Sequence, residues 1–261
     1  MKFFILIFIL ILFNKNAYSN NLFDTTFYKI EFTSEKIEDD KIQEINKIKT
    51  KSILLILNNS LSEKDYLEIN SKLTDDLINT FIKNIIINDE KIINNKYISK
   101  IKVNFDKKKI IEYLRLNKVP YVDYHPDKFL LIIYEINELN NNLFTNNNNY
   151  YKFFNENIKD SNFFKIPNLD INDRFILREE DIINRDLSKI NKFTDKYNSS
   201  ENIIVIANID KDKVTYSLEL YSNENFLKKK IVMNNNEMNL FFNKLEKETL
   251  NLWKHINKIQ N

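Results

Sequence analysis

The longest uninterrupted apolar stretch of this chain lies at its N-terminus. Lys2 precedes apolar residues 3–13, and a short polar segment then leads to Ala17-Tyr18-Ser19. A basic residue, a short apolar run and small residues before a cleavage site are typical of a secretory signal peptide. Because a membrane-spanning helix needs about 20 apolar residues, this run is too short to span. We expect residues 1–19 to be a signal peptide cleaved after Ser19, with an uncleaved anchor or a buried helix as the alternative.

The next part of the chain mixes strand and helix patterns. Four segments have apolar patterns typical of strands: residues 26–32, 81–88, 96–105 and 128–135. Three segments have the apolar spacing or capping residues of helices: residues 34–57, 62–79 and 107–117. We therefore expect an N-terminal α/β domain over residues 20–136.

A polar, Asn-rich stretch at residues 137–150 predicts a linker or a long loop. Beyond it, three segments joined by short Asp and Asn turns have strand patterns: residues 202–209, 213–221 and 225–233. The last segment has one apolar stripe at helical spacing, and a helix is expected there. The fold class predicted is α+β, with two small α/β sandwich units, the second over residues 151–261, and mixed or antiparallel sheets.

Composition removes whole classes of site, because the chain contains no glycine and no cysteine. Glycine-rich phosphate loops, dinucleotide-binding turns and nucleophile elbows are excluded, as are thiolate metal sites and disulfides. Asn, which tolerates left-handed backbone, is expected to make turns and helix C-caps. The net charge of +2 gives no overall attraction to polyanions. We expect no nucleic-acid partner, no cofactor, no metal, and no stable membrane span after signal cleavage.

The order of motifs along the chain resembles a family of exported proteobacterial proteins that share domain of unknown function 2066. The resemblance lies in three segments: residues 94–135, 163–182 and 195–209. They contain a Tyr-containing strand, Phe-Asp opening a helix, a Pro before an apolar strand, a Pro followed by Asp-x-x-Asp, and Lys-Tyr before another apolar strand. The chain departs from the family in lacking its loop glycines and tryptophans. The resemblance implies an envelope protein without assigned chemistry, so no catalytic residue is carried over.

The candidate binding residues are Asp170, Asp173, Arg174 and Arg178. Three of the four arginines of this lysine-rich chain lie between residues 174 and 185, and arginine suits bidentate carboxylate pairing. The acids favour turns and helix N-caps, so one interpretation is structural, with Asp170 and Asp173 capping turns or pairing with arginines. The other interpretation is a ligand or cation site. A calcium loop of the EF-hand type is excluded, because Phe175 stands where that loop needs glycine.

Two further motifs favour structural interpretations. His125-Pro126-Asp127 resembles the signature of J-domain co-chaperones, but a strand pattern follows it where that family has a helix. The lysine runs at 107–109 and 228–230 could contact phosphates, but they are more typical of solvated faces or of edge-strand protection. The two histidines, His125 and His255, are too few and too far apart to predict a metal centre.

These observations favour an exported protein of the periplasm or cell envelope that binds an envelope protein or component without catalysis. The alternative is a cation-dependent or hydrolytic periplasmic enzyme that uses Asp170, Asp173 and Arg174, and a co-chaperone is a third possibility. An enzyme needs a concave site where these carboxylates and arginines converge. A binding module should instead present an exposed apolar patch or an open sheet edge.

Overall fold

The computed structural model describes residues 22–158, 161–222, 225–235 and 237–259, so the expected signal peptide lies outside the described residues. The helices are α1 (Ile37–Ser60), α2 (Glu63–Asn70), α3 (Asp75–Phe81), α4 (Lys107–Leu116), α5 (Asn149–Asn157), α6 (Ile171–Ile176), α7 (Glu179–Ile183), α8 (Leu187–Lys196) and α9 (Met238–Asn257). The strands are β1 (Tyr28–Thr33), β2 (Ile82–Ile93), β3 (Lys96–Phe105), β4 (Phe129–Ile136), β5 (Asn141–Asn142), β6 (Phe164–Lys165), β7 (Glu201–Asp210), β8 (Lys213–Ser222) and β9 (Asn225–Asn234). Within these ranges no helix combines the length and the apolar character that crossing a membrane requires.

The chain divides into two compact units, each built around its own sheet, which confirms the predicted α+β class. Of the described residues, the first unit comprises 22–60, 72–113 and 123–125, and the second comprises 61–71, 114–122 and the rest of the chain from 126. The boundary does not lie at 137–150, because β4 and the segment after it belong to the second unit. The physical reason is that β4 is apolar on both faces and can be covered only inside the larger sheet.

The first unit contains a three-stranded antiparallel sheet in the order β1-β3-β2. Asn94 and Asn95 connect β2 to β3, and their φ angles of 50° and 61° are those of a two-residue hairpin turn of the primed type. Alternate residues of β3, including Tyr97 and Ile101, are buried, and α1 packs against this strand. The residues between them, including Lys102, lie on the less buried face.

The second unit contains a mixed sheet in the order β5-β4-β7-β8-β9, with β6 also paired to β4. β4 and β7 are parallel, whereas β7, β8 and β9 form antiparallel pairs. On one face, Ile132 and Ile204 pack in a buried cluster with residues of α7 and α8, such as Phe193. On the other face, Phe241 of α9 stacks on Tyr216 of β8 with ring centroids 4.2 Å apart. Helices therefore cover both faces of this sheet.

Residues 137–150 complete the edge of β4 rather than linking two domains. β5 pairs with the end of β4, and β6 pairs with its start. Between them, the backbone of Ile133 bonds to side chains: its N–H donates to the hydroxyl of Tyr151 at 2.7 Å, and its carbonyl accepts from Nδ2 of Asn148 at 3.0 Å. Asn148 also caps α5 by accepting from backbone N–H groups of that helix. Phe144 is buried and stacks on Phe193 of α8 with ring centroids 4.8 Å apart.

Among the described residues, eight non-glycine residues have positive φ, a conformation that glycine commonly adopts in other proteins. Asn occupies only three of these positions, and Asp, Lys, Arg and Leu occupy the others. Lys118, at φ 55°, ends α4: the N–H of Val119 bonds to the carbonyl of Leu114 and the N–H of Lys118 to that of Arg115, both at 2.9 Å. This is the Schellman pattern, in which glycine is the preferred residue at the position of Lys118.

Burial of a lysine on α9 makes part of the stability depend on pH. Lys254 is only 4% exposed, and its Nζ donates to the carbonyl of Leu61 at 3.0 Å. Burial disfavours the charged form and lowers the pKa of Lys254 to about 8.

We expect Lys118→Gly to stabilise the protein, although it removes a side chain from an exposed position. Glycine removes the steric strain of the left-handed conformation, and this free-energy gain exceeds the entropic cost of ordering glycine on folding. The free energy of unfolding should therefore rise by about 0.5–1 kcal/mol. Glu112→Gly in the same helix, where the backbone is α-helical, is the control and should lower it by about 1 kcal/mol. Urea denaturation measures the stability of both variants. A loss of stability in Lys118→Gly would contradict a left-handed backbone conformation at Lys118.

We expect Lys254 to make the free energy of unfolding rise with pH above pH 8. Between its folded pKa of about 8 and the ordinary lysine value, the unfolded chain holds a proton that the folded chain has released. The full contribution is up to about 3 kcal/mol. Other groups also titrate in this range, so the quantity to measure is the difference between the native protein and Lys254→Met at each pH. Parallel stability profiles of the two proteins would show that Lys254 keeps an ordinary pKa.

Candidate functional site

A cavity of about 280 Å³ lies near the carboxyl end of β4 in the second unit. Two groups of residues line it: Asn141, Leu143, Phe144 and Thr145 from the segment after β4, and Arg174, Leu177, Arg178 and Glu179 from α6 and the start of α7. In α/β sheets, ligands bind outside the carboxyl ends of parallel strands, because the loops that follow the strands converge there. We call this site the arginine cavity.

The two arginines keep donors available for a ligand. Nε of Arg174 donates to the carbonyl of Phe144 at 3.1 Å, which holds the side chain against the cavity wall. Among the described residues, no carboxylate lies within ion-pair distance of Arg174. Arg178 approaches Glu180 at 3.2 Å, but both side chains are mostly exposed, so this pair is weak. Guanidinium groups present a planar set of donors that matches a carboxylate or a phosphate.

The acids of the predicted cluster lie elsewhere and have structural partners. Asp170 caps α6, where its Oδ1 accepts from the N–H of Asp173 at 3.0 Å. Asp173 is fully buried, and its carboxylate accepts from Nζ of Lys196 at 2.6 Å and from the hydroxyl of Tyr197 at 2.7 Å. The hydrogen bond to Asp173 raises the pKa of Lys196, and burial, assisted by Asp173, raises the pKa of Tyr197. Of the four candidate residues, only the two arginines line the cavity.

Helix α6 presents two exposed apolar side chains beside the arginine cavity. Ile171 and Phe175 lie one helical turn apart and are 67% and 70% exposed, and Arg174 directly precedes Phe175. Isolated exposed apolar residues are common, but an exposed aromatic beside an arginine is the composition that interface cores favour. We call Ile171, Arg174 and Phe175 the α6 surface.

A carboxylate on β8 forms the most extensive ionic network that the sequence analysis missed. Glu219 is fully buried and accepts from Arg185 at 3.0 Å, from Lys228 at 3.0 Å and from the hydroxyl of Tyr221 at 2.9 Å. Burial alone would raise the pKa of Glu219, but these donors hold it below its usual value. Its ionic partners come from within the fold. Arg185 is 34 residues from Glu219 in the sequence, so no local motif predicts this pair.

The histidine-containing motifs do not form a second site. His125-Pro126-Asp127 lies between α4 and β4, so the loop between two helices that a J-domain requires is not formed. Burial lowers the pKa of His125. Across the described ranges, no three histidine, aspartate or glutamate side chains are grouped so that they could hold a metal ion.

No protein-family model, curated protein or solved structure matches this chain. The resemblance to the exported family with domain 2066 therefore stays a prediction.

We expect Asp173→Asn to lower the free energy of unfolding by about 2–3 kcal/mol, because the buried carboxylate would no longer balance the charge of Lys196. Asp195→Asn, at an exposed position of α8, is the control and should change it by less than about 0.5 kcal/mol. Thermal and urea denaturation measure both. An Asp173→Asn variant of native stability would mean that Asp173 is held for another role, such as the chemistry of an enzyme.

Proposed function

We propose that this protein is an exported, non-enzymatic binding module of the bacterial envelope, and that it binds a partner protein through the α6 surface and the arginine cavity. The observation that carries the proposal is that Ile171 and Phe175 are exposed on either side of Arg174, which has no carboxylate partner among the described residues. The segment of the partner protein that binds there carries a carboxylate next to an apolar side chain. The carboxylate bonds to Arg174, and the apolar group packs on Phe175.

Charge complementarity supports this choice of partner. A carboxylate held by a guanidinium forms charge-assisted hydrogen bonds, which are stronger than bonds between neutral groups. Leu143, Phe144 and Leu177 give the cavity apolar walls, where such bonds are less screened than in open water. Aromatic and arginine residues also dominate the energetics of known interfaces.

The expected signal peptide and the resemblance to an exported family support placement in the periplasm. The alternative, a hydrolytic or cation-dependent enzyme, would need Asp170 and Asp173 beside the arginines. Asp170 caps a helix, and Asp173 is fully buried and accepts hydrogen bonds from Lys196 and Tyr197. Neither acid therefore lines the cavity with Arg174. This arrangement favours binding over catalysis.

We expect the capped dipeptide acetyl-Phe-Glu-amide to bind at least tenfold more tightly than acetyl-Phe-Gln-amide. The carboxylate is the only charge that differs, and a charge-assisted bond contributes about 1.5–3 kcal/mol. Chemical-shift titration by NMR measures both affinities and should place the shifts at Phe144 and Arg174. Arg174→Gln should abolish the preference for the acid, and Phe175→Ser should weaken both probes.

The matched controls are exposed residues elsewhere on the same unit, Lys192 of α8 and Leu240 of α9. The variants Lys192→Gln and Leu240→Ser should leave both affinities unchanged. Equal binding of the two dipeptides, or a preference that survives Arg174→Gln, would contradict the proposal. A photo-crosslinker at position 175, used in the envelope fraction, then identifies the partner. Recovery of the native protein only in the cytosol, with Met1 retained, would contradict export.

A further inference from the structure

The first unit contains a second concave site of a different chemistry. It is a hollow of about 640 Å³ on the less buried face of the three-stranded sheet, where β2, β3 and the start of α4 meet. Four lysines line it: Lys83, Lys102, Lys107 and Lys108. We call this site the lysine hollow.

Local backbone geometry brings these lysines together. Alternation along β3 places Lys102 and Asn104 on the face opposite the core. In β2, the pairing register shifts between Ile82 and Asn84, so Lys83 is an extra residue beside the paired strand. Such β-bulges redirect side chains, and this one accounts for Lys83 lining the hollow with Asn84. The first turn of α4 then supplies the two remaining lysines.

The lysines of the hollow are less compensated than Lys96 and Lys100 of the same sheet. Lys96 pairs with Glu31 at 2.5 Å, and Lys100 pairs with Asp89 at 2.8 Å. By contrast, in the part of the chain that the structure describes, no carboxylate lies within ion-pair distance of the lysines at positions 83, 102 and 108. Like charges brought together without partners repel each other, so their clustering is unfavourable unless an anion binds.

The two acids that line the hollow do not remove this excess. Oδ1 of Asp106 accepts from the backbone N–H of Lys108 at 2.9 Å, so this carboxylate caps α4, and the helix end itself is already occupied. Asp24 is the other acid. Among the described residues, Lys107 is the one lysine of the four with an ion-pair partner, Asp123 at 2.9 Å. With Asp123 counted beside the two lining acids, four cations face three carboxylates, and the excess positive charge lies with Lys83, Lys102 and Lys108.

We propose that the lysine hollow binds a phosphate group, presented by a soluble phosphorylated ligand or by a lipid headgroup. Lysine ammonium groups are compact point charges, and several of them around one concave site suit an anion that carries more than one charge. Nδ2 of Asn104 donates to Oδ1 of Asn84 at 2.7 Å, which leaves further amide N–H groups as neutral donors. This inference concerns the first unit and does not depend on the partner proposed for the arginine cavity.

The test measures binding of two phosphate sources to the native protein. Inorganic pyrophosphate is titrated by NMR, and vesicles of phosphatidylcholine, with and without phosphatidic acid, are used in co-sedimentation. We expect shifts at Lys83, Asn84 and Lys102 with pyrophosphate, sedimentation only with the anionic vesicles, or both, and weaker binding at higher NaCl concentration. Binding of vesicles alone assigns the phosphate to a lipid, and binding of pyrophosphate assigns it to a soluble ligand.

Two triple variants separate a specific site from general charge. The first variant combines Lys83→Gln, Lys102→Gln and Lys108→Gln. It should weaken binding at least about tenfold, since each lysine near an anionic surface raises the affinity several-fold. The second variant combines Lys64→Gln, Lys152→Gln and Lys192→Gln at exposed lysines of the second unit. It changes the net charge by the same amount and should leave binding unchanged. The single variant Lys102→Gln, with its fold checked by NMR, gives the answer if the first triple variant unfolds.

Three results would overturn the proposal. The first is that neither phosphate source binds the native protein. The second is that the two triple variants lose binding equally, which would mean that only overall charge matters. The third is that a single-stranded oligonucleotide binds more tightly than either source at equal phosphate concentration, which would make the partner a nucleic acid.

Discussion

The parallel pairing of β4 and β7 is the interaction on which the second unit depends. The two strands pair from Leu130 opposite Asn202 to Ile136 opposite Asn208, and the side chains of β4 are almost all buried. Parallel strands cannot be joined by a short turn, so the chain must cross over between them. That crossover contains α5 to α8, and its first loop and α6 form the walls of the arginine cavity. The position of the site therefore follows from the topology of the sheet.

Most elements could be predicted from the sequence, because their apolar patterns are local. The strand expected at 96–105 is β3, and the run expected at 128–135 is β4, displaced by one residue. The helix expected over 62–79 is instead two helices, since Thr74 caps a second helix by accepting from the N–H of Leu77. The Asn-rich composition of residues 137–150 predicts a linker, but three hydrophobic residues within it, Leu143, Phe144 and Tyr150, are buried.

The candidate site shows how adjacent residues can have different roles. Asp173 and Arg174 are neighbours in sequence, but successive side chains on an α-helix point about 100° apart. Asp173 therefore faces the interior and meets Lys196, whereas Arg174 reaches the carbonyl of Phe144 at the cavity. The arginines stand out in the sequence because arginine is scarce in this chain, but only the orientation of α6 separates them from the neighbouring acids. The run at 107–109 is typical of a solvated face or of edge-strand protection, and no local pattern predicts the bulge that places Lys83 beside it.

The side chains that complete the edge of β4 also bear on self-association. An apolar strand of eight residues with a free edge is a template on which identical chains can stack into fibrils. Here the side chains of Asn148 and Tyr151 hydrogen-bond to the backbone of Ile133, and β5 and β6 pair with the two ends of β4. The protection comes from two side chains and two very short strands, so the middle of β4 becomes unprotected when the N-terminal turn of α5 opens. Resistance to aggregation during folding then depends on how early this small helix forms.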